Sequence, residues 1–174
     1  MKYLLWIILA LIWLMMPGRS EAQDREFGIR LSGLNEMGLI FKKDKGTHWT
    51  RWHASFGRID ASFGGTLIAG LGLGLNVGKE KRRELGDKVH FLHGPQFLMS
   101  MNIRGSLDNF NGAFSIGYGQ LLGVMVGLKN DFFLSVETIP SMQLALAGNN
   151  DVVNLNFQAG FNSEFAALVA TKRF

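Results

Sequence analysis

The chain contains no cysteine. That absence excludes disulfides, thiolate metal ligands, a cysteine nucleophile and the lipidated cysteine of a bacterial lipoprotein. It does not argue against export, because a hydrogen-bonded barrel needs no covalent staples. Charge is scarce too: Asp, Glu, Lys and Arg make up 18% of the residues, against about 25% in an average globular protein. Beyond residue 22 no stretch approaches the ~18 consecutive apolar residues of a membrane-spanning helix. No helical period competes anywhere in 23–174.

The first 22 residues read instead as a targeting segment. Lys2 supplies a positive n-region, and Tyr3 to Met16 is an uncharged run of 14 residues, short of the roughly 20 that a spanning helix needs. Pro17-Gly18 break it, and Ser20-Glu21-Ala22 put small residues where signal peptidase requires them. Cleavage between Ala22 and Gln23 is expected, leaving one domain over 23–174; an uncleaved anchor is disfavoured by the same length argument. With Lys2, Arg19 and Glu21 removed, 16 Lys+Arg face 13 Asp+Glu, a net charge of +3. This balance is too mild to imply nucleic acid.

What is present is alternation. Over 66–78 the odd positions are Leu67, Ala69, Leu71, Leu73, Leu75 and Val77, opposite a row that includes Gly70, Gly72, Gly74, Asn76 and Gly78. The same period of two, the signature of a strand, returns over 114–128, 132–146 and 153–161. Residues 27–41 also hold one phase, with Phe27, Ile29, Leu31, Met37, Leu39 and Phe41 all odd. Turn signals fall at 43–46, 59–65, 79–88, 104–112, 129–131 and 148–151, where Gly, Asn and Asp cluster or charges run. Gly33-Leu34-Asn35-Glu36 looks like a further tight turn. A one-residue slip of phase near Asn162-Ser163-Glu164 is either a bulge or a hairpin. A turn at 33–36 with a bulge at 162–164 gives eight strands, and so does the reverse; the first is favoured because it puts the compact turns on the side of the chain ends.

Alternation alone does not say which face meets what. A lipocalin-type barrel would turn its apolar face inward. Here the polar rows are mostly Gly, Ser, Asn and Gln, with Glu137 nearly the only charge. Such rows suit a narrow lumen, and the Leu and Phe rows suit acyl chains. The expected fold is therefore an all-β, closed antiparallel eight-stranded transmembrane β-barrel behind a cleavable signal peptide. Trp49, Trp52 and Tyr118 suit interfacial aromatic girdles.

These features resemble the small outer-membrane β-barrel proteins of the Bacteroidetes type, broadly similar to the eight-stranded OmpX and OmpA barrels. The residues carrying the resemblance are Gln23 as first mature residue, Glu26-Phe27-Gly28-Ile29-Arg30, Gly38 to Lys43, Gly78-Lys79-Glu80-Lys81-Arg82, Gly123 to Lys129 and the terminal Lys172-Arg173-Phe174. Phe174 looks like the signal read by the barrel-assembly machinery, although Lys172 stands where that pattern has an aromatic or apolar residue. The resemblance implies an address and a fold and supplies no catalytic residues.

Candidate sites are few. His90 and His93, three apart, point to opposite faces of a strand, as do His48 and His53; with no carboxylates at ligand spacing, no metal is expected. The glycines at 70, 72 and 74 lack the spacing and following helix of a nucleotide loop; they relieve crowding in the lumen. The mixed run Lys79 to Glu84 reads most simply as a solvated turn, with binding of lipopolysaccharide phosphates as the alternative only if it faces the leaflet. His53 and Ser55 share a strand face and are reminiscent of outer-membrane lipid deacylases, in which His activates Ser, but Phe56-Gly57-Arg58 follow and no acid is evident to orient the imidazole. The expectation is a non-enzymatic, cofactor-free monomer in the outer membrane, touching lipids and lipopolysaccharide, with a structural or surface-interaction role and no general pore. Two alternatives are a lipid hydrolase using His53 and Ser55, and a soluble carrier of an apolar ligand.

Overall fold

Alternation in the sequence becomes alternation of exposure. The computed structural model describes residues 24–32, 36–57, 60–64, 66–105, 110–148, 152–160 and 166–174, and among these there is no α-helix. The expected signal peptide with its Ala22–Gln23 junction lies outside the described residues, as do 33–35 and 162–164. The strands are β1 (Arg25–Ser32), β2 (Glu36–Asp44), β3 (Trp49–Phe56), β4 (Asp60–Gly64), β5 (Thr66–Gly86), β6 (Val89–Gly105), β7 (Phe110–Gly127), β8 (Phe132–Thr138), β9 (Ser141–Gly148), β10 (Val153–Gly160) and β11 (Ala167–Arg173).

Eight of them close into an antiparallel ring: β8, β11, β1, β2, β3, β5, β6, β7 and back to β8. The other three extend its wall, β4 on β5, β9 on β7 and β10 on β9. β8 and β9 follow one register along β7 and are separated at Ile139-Pro140. Proline has no N–H for the ladder, yet the Pro140 carbonyl still accepts from Gln120 N at 3.0 Å.

The chain does reverse between β1 and β2, since Ser32 faces Glu36 in an antiparallel pair. β10 and β11 run the same way, along β9 and β8. Seven residue steps separate Gly160 from Ala167 and four separate their partners Ser141 and Glu137, and that odd difference accounts for the slip in phase.

Three expected turns shrink. β5 runs unbroken through the supposed turn at 79–88 and reverses only at Asp87-Lys88. The charges there do not end the strand because parity sorts them: Lys79, Lys81 and Arg83 face out, while Glu80 is buried. Asp60–Gly64 of the 59–65 signal is strand, and β6 and β7 reach into 104–112.

Exposure fixes the faces. Phe27, Ile29 and Leu31 of β1 are exposed while Glu26, Arg30 and Ser32 are buried. Leu71 and Leu75, Phe97 and Met99, Phe114, Ile116 and Tyr118, Leu134 and Val136, and Met142, Leu144 and Leu146 are likewise exposed. One ladder of facing partners shows how the wall winds. It leaves β8 at Phe132 and passes Lys172, Phe27, Phe41, Trp52, Val77, Phe97 and Tyr118. It regains the same flank of β7 at Met142, on β9. That stagger is what tilts the strands of a closed barrel.

Arg25 and Phe174, at or next to the described ends of the chain, lie with the connections 45–48, 87–88 and 128–131 at one end, here the terminal end. Wall height is uneven. β5 has 21 residues and β1 has 8, roughly 70 Å against 26 Å at about 3.3 Å per residue. Beyond the short β1–β2 hairpin the longer strands rise as an open wall. Among the described residues β4 and β10 each pair on one side only, and β10 is exposed along both faces.

Close approach between strands explains Gly28: a Cβ there would run into the Ala170 carbonyl and Thr171, whereas one at Gly86 would meet nothing within 4 Å. Gly28→Ala should therefore lower unfolding stability by about 1–3 kcal/mol, the usual range for overpacking, and Gly86→Ala should shift it by under about 0.5 kcal/mol. Urea titration read by the folded-to-unfolded change in gel mobility measures both; equal effects from the two variants would refute the close-packing account.

Candidate functional site

The lumen divides into a charged floor toward the terminal end and a polar cavity above it. The floor is built by parity. Glu26 and Arg30 alternate with Phe27 and Ile29 on β1, Lys42 follows Phe41 on β2, and Arg51 precedes Trp52 on β3. Glu80 and Arg82 continue on β5 the inward row of Gly72, Gly74, Asn76 and Gly78. Glu137 comes from β8 and Arg173 from β11. Glu26, Lys42, Glu80, Arg51 and Glu137 are all at most 1% exposed.

A buried charge is tolerated only with partners, and these have them. Arg51 Nη1 donates to Glu80 at 3.0 Å and its Nη2 to Glu137 at 2.7 Å. Since β3 and β8 stand on opposite sides of the ring, Arg51 bridges the lumen. Lys42 Nζ lies 2.9 Å from Glu80 and 3.9 Å from Glu26. Arg82 forks onto Glu26 at 2.8 and 2.7 Å and donates through Nε to Glu80 at 2.8 Å. Arg173 Nη2 reaches Glu26 at 2.9 Å, and Ser135 Oγ donates to Glu137 at 2.9 Å. Among the described residues three carboxylates thus join four cations, and the surplus charge is eased at Arg173, whose side chain is 32% exposed.

Trp49 closes this floor from inside. The Arg82 and Arg173 guanidiniums sit 4.1 and 5.0 Å from its ring centroid. The girdle position expected for Trp49 is therefore corrected: its odd position on β3 shares the inward phase of Arg51. Trp52 and Tyr118 do face outward, and Trp52 lies 5.5 Å from Phe41 between ring centroids. The solvated-turn reading of 79–84 is corrected in the same way, since Glu80 and Arg82 are floor residues. So is the view that Glu137 is nearly the only inward charge.

Beside the charges lies a dry strip of Leu92, Leu121 and Met125, with Phe133 and Ile139 packed on it. Above the floor is a cavity of about 540 Å³ whose lining includes Arg30, His53, Ser55, Asn76, Ser100 and Gln143. Ser100 and Ser115 hydroxyls meet at 2.7 Å, and Ser115 donates to Gln143 at 3.4 Å.

His53 and Ser55 both reach this cavity, as their spacing requires. Asn76 Nδ2 lies 3.1 Å from His53 Nδ1, supplying an orienting group from the neighbouring strand that the sequence reading lacked. The two side chains nonetheless lean apart: His53 Nε2 lies over Gly38 of β2, and Ser55 Oγ over Gly74 of β5. Nε2 has no hydrogen-bond partner among the described residues, so no base engages the hydroxyl in this arrangement. The other histidines do not join them. His48 sits in the β2–β3 connection beside Thr47 Oγ1 at 3.0 Å, and His90 and His93 occupy opposite phases of β6. Among the described residues no three potential ligands cluster for a metal. Signal-cleavage residues Ala22 and Gln23 are outside the described residues, while Phe174 is held at the terminal end by its N–H donating to the Arg25 carbonyl at 3.1 Å.

The floor was missed in the sequence although its signal was there. Extending the even row of β5 past Gly78 reaches Glu80 and Arg82 without a break in phase. Comparison with protein-family models, with curated proteins and with solved structures finds no match.

Removing one partner of a buried network strands the others. Arg51→Met should lower stability by roughly 3–5 kcal/mol by leaving Glu137 and Glu80 short of a partner, and the double variant Arg51→Met/Glu137→Leu should recover part of that loss. The same urea titration checks both. A single variant as stable as wild type, or a double variant that loses the sum of the separate changes, would contradict a coupled pair across the lumen.

Proposed function

We propose that the chain is an integral outer-membrane β-barrel protein of a diderm bacterium, with a structural or surface-interaction role and no enzymatic activity. The observation that carries this reading is the inversion of the usual globular arrangement. Charges that a water-soluble protein displays are paired inside, while rows of Leu, Phe, Met and Val from every ring strand lie outside. Soluble monomers rarely expose a contiguous apolar area beyond a few hundred Å², and a closed ring leaves no unpaired edge in hydrocarbon. A soluble carrier of an apolar ligand would have the opposite faces.

In this reading the first 22 residues direct export, the barrel-assembly machinery inserts the chain, and lipids and lipopolysaccharide surround it as a monomer. With Arg51 spanning the lumen above paired carboxylates, the interior supports no general diffusion path. The lipid-hydrolase alternative finds less support, because His53 Nε2 and Ser55 Oγ lie over different neighbouring strands.

Membrane fractionation with gel mobility before and after boiling tests fold and address together. The chain should sediment with outer membranes, resist extraction by alkaline carbonate, and migrate faster unboiled than boiled. Recovery in the soluble periplasmic fraction without detergent would overturn the reading. Ser55→Ala should leave the acylation pattern of outer-membrane lipids unchanged, and an altered pattern would restore the hydrolase.

A further inference from the structure

Charge on this barrel is sorted by sign between its faces. In the ring strands every carboxylate with a described side chain, namely Glu26, Glu36, Asp44, Glu80, Glu84 and Glu137, holds an inward-phase position. The outward phase carries cations alone. Lys43 on β2 faces Thr50, and Thr50 faces Lys79 on β5. One pleat repeat nearer the far end, Phe41 faces Trp52, and Trp52 faces Val77. Lys81 and Arg83 continue the cationic line toward the terminal end, both exposed.

The order along β5 is therefore Leu71, Leu73, Leu75, Val77, then Lys79, Lys81, Arg83, with Trp52 and Phe41 beside the boundary. This is the sequence of chemistries met on leaving a bilayer: hydrocarbon, the amphipathic layer favoured by aromatics, then headgroup phosphate. An inward cation of the floor has a carboxylate beside it; among the described residues of the ring strands no carboxylate shares the outward phase with these. We propose that Lys43, Lys79, Lys81 and Arg83 form a binding stripe for the phosphates of anionic glycerophospholipids in the leaflet at the terminal end. The inference rests on the membrane reading above and adds to it a headgroup class and a sector of the wall.

Two tryptophans make it measurable. Trp52 faces outward next to the stripe, and Trp49 is 7% exposed and faces the lumen. In the full chain carrying Trp6→Phe and Trp13→Phe, reconstituted in vesicles, quenching by brominated phospholipid reports lipid at Trp52. Brominated phosphatidylglycerol should bind there about 5-fold or more tightly than brominated phosphatidylcholine, as one or more surface cations would give. The preference should fall to about parity in Lys79→Gln/Lys81→Gln/Arg83→Gln and in wild type at high salt. It should persist in the turn variants Lys45→Gln and Lys88→Gln.

Equal quenching by the two lipids in wild type, or an undiminished preference in the triple variant, would overturn the stripe while leaving the membrane reading intact. No quenching by either lipid would overturn both. Should the triple variant lose its heat-modifiable mobility, the single variants Lys79→Gln and Arg83→Gln and the salt series on wild type decide the matter.

Discussion

Closure of the ring is the constraint on which everything else here depends. In an open sheet a strand can slip by one residue and merely exchange its faces. In a closed ring each strand is held by two neighbours, so its phase is fixed twice. Arg51 shows what that fixes. A one-residue slip of β3 would turn Arg51 and His53 outward and Trp52 inward. It would also strip Glu137 of the partner that reaches it from across the lumen at 2.7 Å. Backbone pairing and side-chain pairing thus demand the same register, which is the agreement between levels that marks a well-specified sequence.

The floor also needs room. Eight strands enclose an interior only wide enough for side chains, and Arg51, Lys42, Arg82 and Glu137 are long. Glycines answer this on the facing positions. A Cβ at Gly78 would strike the Gln96 side chain, and one at Gly38 the His53 imidazole. One at Gly123 would stand 3.2 Å from Glu137 Cγ. Large and small residues alternate around the lumen, and the glycines of the inward rows are the small half of that alternation. Toward the far end the inward rows become Ser, Asn and Gln with glycine still between them, and the space opens into the cavity.

How much of this was legible follows from which signals are local. Strand identity, the eight-membered ring and the outward apolar face could be read because period and parity are written along each segment. The reversal after Ser32 and the continuation from β10 to β11 were readable only as a pair of alternatives, since evenness of strand number couples distant places. The turns at 59–65 and 79–88 are narrower than their composition suggests for one reason: a charged or glycine-rich run does not by itself end a strand. Position within the run decides instead. Glu80 keeps the inward parity of Gly78 and finds Lys42, Arg51 and Arg82; Lys79 and Lys81 keep the outward parity of Val77. Trp49 faces inward because phase, not residue type, sets the face. The pairing of Asn76 with His53 could not be read at all, since it depends on the register between β3 and β5.

The uneven wall assigns different work to the two ends. At the terminal end the ring is complete, the interior is filled by paired charges, and the outer surface passes from apolar to cationic. Beyond the β1–β2 hairpin the described strands no longer close a ring, the interior is a cavity lined mainly by Ser, Asn, Gln and Gly with Arg30 and Glu36 among them, and β10 presents both faces to its surroundings. A strand exposed on both faces gains little from apolar burial, so β10 depends on its ladder to β9, and its inward Asn154, Asn156 and Gln158 are suited to water. Hydrocarbon would penalise those amides, but Val153, Leu155 and Phe157 on the other face of the same strand are exposed as the Leu and Phe rows of the ring are, so the apolar outer face continues up the far wall while the inner face stays polar.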